Sequence, residues 1–149
     1  MNLTGLLHMK SDELQKNILS TYFSLRIGIV VLSVGLPLIL YFGGVWWGQI
    51  DQLAHSMSAY YGEGGGSMRN WFVGVLWGVG WFLYAYKGFS ALENYLLNFA
   101  GVCAIGVAMI PCNCWESATG PSQKLHFVSA VSFFICMAAV CFLCAKDTI

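Results

Sequence analysis

Charged residues are scarce in this chain. Seven Lys and Arg and seven Asp and Glu make up 9% of its 149 residues, whereas a soluble domain carries roughly a quarter. So few charges cannot cover a water-facing surface, but they suit a surface that faces lipid, where charge is penalised. The net charge of zero and the lack of a basic run exclude nucleic acid as the main partner.

Hydrophobic residues supply 58% of the sequence and are concentrated in four long runs, at residues 27–47, 71–87, 94–111 and 125–145. A helix of about 20 apolar residues crosses roughly 30 Å of hydrocarbon. Charges precede the first run, so the N-terminus does not look like a secretory signal. The sequence predicts an all-α membrane protein, a four-transmembrane-helix bundle that forms one domain over residues 1–149.

Two features modify the first span. Apolar residues recur at helical spacing in residues 12–25, which predicts a short N-terminal interfacial helix with a polar opposite face. Pro37 lies inside the first run, where it should kink the helix or free a carbonyl near Ser33.

The distribution of Lys and Arg predicts the orientation. With a cytoplasmic N-terminus, five basic residues fall on the inner side and two on the outer side, which follows the positive-inside rule. Both termini are therefore expected in the cytoplasm. The inner residues are Lys10, Lys16, Arg26, Lys87 and Lys146, and the outer ones are Arg69 and Lys124.

Small residues recur at helical spacing in the second and third runs: Gly74 and Gly78, then Ala100, Ala104 and Ala108. Such stripes let helix backbones approach closely in lipid. Packing inside the bundle is the favoured interpretation, and a homo-oligomer interface is the alternative. The latter would suit a homo-oligomeric channel or membrane effector.

Two cysteines, Cys112 and Cys114, lie at the outer end of the third span. A CxC pair closes on itself only with strain, and no further ligand pair for a metal is present. Both are expected to be free thiols or weak redox candidates. The cysteines within the spans are expected to pack as small apolar residues.

Residues capable of polar chemistry gather in the two predicted outer loops. Hydroxyl and charged groups there can bind phosphate or sugar oxygens, and aromatic rings can anchor a headgroup. The sequence therefore predicts a non-enzymatic protein with an outer-face pocket for a lipid headgroup or small ligand. Its candidate ligand-binding residues are Ser56, Ser58, Tyr60, Tyr61, Arg69 and His126.

A metal site is the alternative at the same place. Asp51 and His55 are four residues apart and would share a helix face, with His126 converging from the fourth span. Two histidines and one acid would suit a catalytic zinc with an open position. No paired-histidine motif supports zinc, so no cofactor is the first expectation and a membrane-embedded metal hydrolase the second.

Several stretches carry a family resemblance: residues 56–61 (SMSAYY), 68–88, 98–111 and 126–134 (HFVSAVSFF). They resemble a group of small, uncharacterised bacterial inner-membrane proteins. The resemblance implies a multi-pass protein of the bacterial inner membrane, without an activity, and it selects the same six ligand-binding residues. It departs at Asn70, where the group has an acid after the arginine. A fainter similarity to membrane ceramidase-like hydrolases covers Asp51, His55, Ser58 and His126.

Overall fold

The computed structural model describes residues 3–47, 54–62, 64–88, 90–112 and 120–144. Over these residues the chain is helical and contains no strand, which confirms the all-α prediction. Two short 3₁₀ turns, Met57–Gly62 and Gly64–Gly66, lie between the first two helices. The helices are α1 (Leu3–Trp46), α2 (Ser67–Ala85), α3 (Ala91–Met109) and α4 (Pro121–Cys144).

Within the described residues, three segments are long and apolar enough to cross a membrane by length and composition: Lys10–Trp46, Ala91–Met109 and Pro121–Leu143. They indicate a membrane protein. Large apolar side chains face outward on them, such as Phe142, which is 81% exposed. Helix α2 is not among these segments, because Arg69, Asn70 and its tryptophans lower its hydropathy. The count of four spans is therefore not confirmed.

Helix α1 is continuous over 44 residues, a length of about 66 Å at ~1.5 Å per residue. The separate interfacial helix predicted for residues 12–25 is not seen as a distinct element, since no helix-breaking residue lies between it and the first apolar run. Leu14 and Ile18, on the face predicted to be apolar, are each 59% exposed. The helix also runs through Pro37 without ending there.

Successive helices run in opposite directions, as contacts at their ends show. Trp47, after α1, stacks on Trp71 of α2 with ring centroids 6.3 Å apart. At the other end, the Tyr22 hydroxyl of α1 hydrogen-bonds the Tyr86 hydroxyl after α2. The end of α1 and the start of α2 therefore meet at one end of the bundle, here called the upper end. The end of α3 and the start of α4 lie there too, since His126 contacts both Ile110 and Ser58.

The helices pack in chain order, α1 on α2, α2 on α3 and α3 on α4, while α1 and α4 make at most marginal contact. The alanine stripe of α3, at Ala100, Ala104 and Ala108, is at most 1% exposed. That stripe is therefore used within the bundle and is closed to a second copy. Packing inside the bundle, the favoured interpretation, is confirmed for this stripe.

Candidate functional site

The site begins with a carbonyl group that the end of α3 leaves free. Pro111 disfavours a helical conformation at the residue before it, and Ile110 is accordingly extended, with φ −99° and ψ 110°. Carbonyls in the last turn of a helix have no donor within the helix. The Ile110 carbonyl is bonded instead by Nδ1 of His126, at 2.7 Å.

The second ring nitrogen of His126 contacts Ser58. Because a carbonyl only accepts, Nδ1 carries the proton in the bond to Ile110. In the neutral ring Nε2 is then an acceptor, and the Ser58 hydroxyl donates to it over 3.0 Å. His126 is only 5% exposed, so this side chain joins α3, α4 and the first 3₁₀ turn inside the protein.

Ser58 also lines an apolar cavity of about 220 Å³. Its walls come from all four helices and include Leu36, Phe72, Val107 and Phe133. Among the described residues that line it, only Ser33 and Ser58 have polar side chains. An apolar cavity of about 150 Å³ is known to hold benzene, so this one has room for a larger apolar group.

The cavity lies where α1 and α4 separate, and it is here called the α1–α4 cleft. Pro37 of α1 and Phe134 of α4 line it and are themselves exposed, the latter by 61%. These residues mark an opening to the outer surface of the bundle. Ser33 also lines it, and its carbonyl has no helical donor because Pro37 has no N–H, as the sequence predicted.

Two of the predicted ligand-binding residues have structural roles here. The Ser56 hydroxyl accepts a hydrogen bond from the backbone N–H of Ala59 at 3.2 Å, which caps the first 3₁₀ turn. Tyr60 is 6% exposed and belongs to the hydrophobic core. Neither lines the α1–α4 cleft.

Tyr61 and Arg69 come together in a different place. The Arg69 guanidinium lies 5.8 Å from the centroid of the Tyr61 ring, and that ring packs edge-on against Phe72. Both residues line a recess of about 370 Å³ with Asn70 and Met109. Among the described residues, none lines both this recess and the α1–α4 cleft. His126 lines neither, but a third recess of about 260 Å³ with Cys112, Gln123, Lys124 and Phe127, so the predicted ligand-binding residues do not share one pocket.

The predicted metal ligands are only partly described. His55 is exposed in the bend before the first 3₁₀ turn, and Asp51 lies outside the described residues. Within the described part of the chain, no three His, Cys, Asp or Glu side chains form a metal-binding group. The zinc hypothesis stays a prediction.

The described cysteines differ from expectation at two positions, Cys112 and Cys141, and the latter is exposed although it was expected to pack within a span. Cys112 is disulfide-bonded, so the expectation of a free thiol is wrong there, and Cys114 lies outside the described residues. Cys103 and Cys136 are free and buried, as their positions within the spans predicted.

Sequence reasoning missed three contributors: the Ile110 carbonyl, the apolar cleft walls and Gln123. Pro111 was a usable signal for the first, since it marks where α3 must end. Gln123 lies one turn before His126, and its Oε1 is buried without a hydrogen-bond partner among the described residues. The cleft forms because α1 and α4 do not pack against each other. No local sequence pattern indicates which helices pack together.

Comparisons of the chain with protein-family models, with curated proteins and with solved structures found no match.

Proposed function

We propose that this protein is an integral membrane protein that binds the hydrocarbon chain of a membrane lipid in the α1–α4 cleft, with the polar end of the lipid beside Ser58 and His126. The observation that carries the proposal is the cleft itself. It is apolar, open between two candidate membrane spans, and lined near its upper end by Ser58, which hydrogen-bonds the buried His126.

The lining of the cleft and its position between two candidate membrane spans favour a lipid chain as its occupant. A hydrocarbon chain is thin enough to enter and matches the apolar walls. In a bilayer such chains surround the opening at high concentration, so weak affinity suffices for occupancy.

In this proposal all four helices cross the bacterial inner membrane and both termini are cytoplasmic. The distribution of Lys and Arg supports that orientation, and the disulfide at Cys112 agrees with it, because disulfides persist in oxidising compartments. Helix α2 contains several tryptophans, and its one arginine, Arg69, lies in its first turn. Such a charge can reach the headgroup region from the end of a span.

The recess at Tyr61 and Arg69 is proposed as a separate contact for anionic headgroups. Arg69 is exposed at the upper end of α2 and is held over the Tyr61 ring. A basic residue at a membrane surface contributes about 1 kcal/mol to attraction by anionic lipid. This contact replaces the single headgroup pocket expected from the sequence.

Native mass spectrometry of the purified protein with added phosphatidylethanolamine tests chain binding. Ala130→Leu fills the cleft, since Ala130 lines it. Ala138→Leu makes the same change on an exposed position of the same helix. Lipid adducts should be retained by the wild type and Ala138→Leu, and lost several-fold by Ala130→Leu. Equal adducts on both variants would show that the lipid binds elsewhere.

A further inference from the structure

We propose that Ser58 and His126 act as a nucleophile and general base that cleave the carboxylic ester of a long-chain amphiphile. The part of this inference that concerns the substrate's chain rests on the proposed function of the cleft. The evidence for the reactive pair is separate: it is the hydrogen-bond geometry of Ser58, His126 and the Ile110 carbonyl beside the apolar cavity.

The arrangement of the pair matches what nucleophilic catalysis by serine requires. The Ser58 Oγ lies 3.0 Å from His126 Nε2, within the range of about 2.6–3.2 Å expected for a nucleophile and its base. A third group must orient the base, and the Ile110 carbonyl does so through Nδ1. That bond fixes the tautomer in which Nε2 is free to accept the serine proton.

The pair also has a suitable environment. His126 is almost fully buried, while Ser58 is half-buried and lines the cleft. A chain bound in the cleft would therefore bring its polar end to the Ser58 hydroxyl. Ser33 lines the same cavity and is the other polar side chain among the described lining residues.

The reaction proceeds in two balanced steps. Ser58 Oγ forms a bond to the ester carbonyl carbon while its proton moves to His126 Nε2. The bond from that carbon to the alcohol oxygen then breaks, and the alcohol leaves with the proton from Nε2. Water next attacks the acyl-serine, gives its proton to Nε2, and releases the carboxylic acid while Ser58 recovers its proton.

Fluorophosphonates test the pair directly, because a reactive serine displaces their fluoride and becomes phosphonylated. The whole protein in detergent is treated with a hexadecyl or an ethyl fluorophosphonate, and the labelled peptide is found by mass spectrometry. We expect the label on Ser58 with both probes. Ser56, two residues away in the same run but capping the turn, serves as the matched control and should remain unlabelled.

The variants assign the roles. Ser58→Ala should abolish labelling. His126→Asn places an amide N–H where Nδ1 stood, which preserves a donor to the Ile110 carbonyl while removing the base. Because a general base contributes about 10²–10⁴-fold, labelling of Ser58 should slow by about 100-fold or more. An unlabelled Ser58, equal labelling of Ser56, or an unchanged rate in folded His126→Asn would each overturn the proposal.

The two probes separate this inference from the proposed function. If the cleft holds the chain, Ala130→Leu should slow the hexadecyl probe several-fold more than the ethyl probe. Labelling of Ser58 by both probes at unchanged rates in Ala130→Leu would support the reactive pair and contradict chain binding. Retained lipid adducts without any Ser58 label would support chain binding and contradict the reactive pair.

Discussion

Gly80 of α2 and Gly101 of α3 bring the backbones of their helices into direct contact. A Cβ atom placed on Gly101 would lie 2.6 Å from the Gly80 carbonyl oxygen, and one placed on Gly80 would lie 2.8 Å from the Gly101 carbonyl oxygen. A side chain at either position must push the helices apart. This contact holds α3 close to α2 and so fixes one wall of the α1–α4 cleft.

Gly101→Ala should therefore destabilise the bundle. Overpacking typically costs about 1–3 kcal/mol, and here the obstacle is backbone, which cannot rotate away. We expect a lower thermal unfolding midpoint in detergent, followed by tryptophan fluorescence. The matched control is Gly74→Ala in α2, where a Cβ meets nothing within 4 Å. Equal midpoints for the two variants would contradict this account of the contact.

The lower end of the bundle depends on the bond between Tyr22 and Tyr86. Tyr22→Phe removes one hydroxyl and keeps the ring pair, whose centroids are 4.8 Å apart. A hydrogen bond contributes about 0.5–1.5 kcal/mol net, so the free energy of unfolding should fall by about that amount. Tyr41→Phe, on an exposed residue of the same helix, should leave it unchanged. No difference between the variants in denaturant titrations would refute the contribution.

The recess at Arg69 should favour anionic lipid. Arg69→Gln removes about 1 kcal/mol of attraction, which corresponds to about a fivefold loss in preference for phosphatidylglycerol over phosphatidylcholine. Tyr61→Leu should lower the preference less, since it removes only the ring beneath the guanidinium. Competition between the two lipids in native mass spectrometry measures the ratio. A ratio unaffected by Arg69→Gln would contradict the proposed contact between Arg69 and anionic headgroups.

The orientation can be tested with reporter fusions in bacteria. A C-terminal green fluorescent protein should fluoresce, because the C-terminus is proposed to be cytoplasmic, while a C-terminal alkaline phosphatase should stay inactive. The reverse pattern would place the upper end, with Ser58 and Arg69, on the cytoplasmic side. It would also leave the Cys112 disulfide in a reducing compartment.

The helical segments could be predicted from the sequence because apolar runs and proline are local signals. The predicted ends of the helices were less accurate than their existence. Helix α3 begins at Ala91 rather than near residue 94, since Ser90 accepts a hydrogen bond from the Glu93 N–H and caps the helix. Glu93 precedes the predicted run of residues 94–111, although it lies in the first turn of α3.

The site was partly predictable for a similar reason. Ser58 and His126 were grouped because the order of the helices brings their segments to one end. Arg69 is separated from them because it lines the recess on one side of α2, whereas Ser58 lines the cleft on another. Which side of α2 a residue faces is decided only when the helices pack. Likewise, Tyr60 was expected at a pocket but lies in the core, because the 3₁₀ turn buries the adjacent residues Ala59 and Tyr60 together.

The most direct test of the central claim is photo-crosslinking in bilayers with a phosphatidylethanolamine that carries a diazirine in its acyl chain. Label should appear on both walls of the α1–α4 cleft, on the α1 peptide with Leu36 and Pro37 and on the α4 peptide with Phe133 and Phe134. It should fall several-fold in Ala130→Leu and persist in Ala138→Leu. Label spread evenly over the exposed faces, with the same yield in both variants, would contradict a lipid-binding cleft.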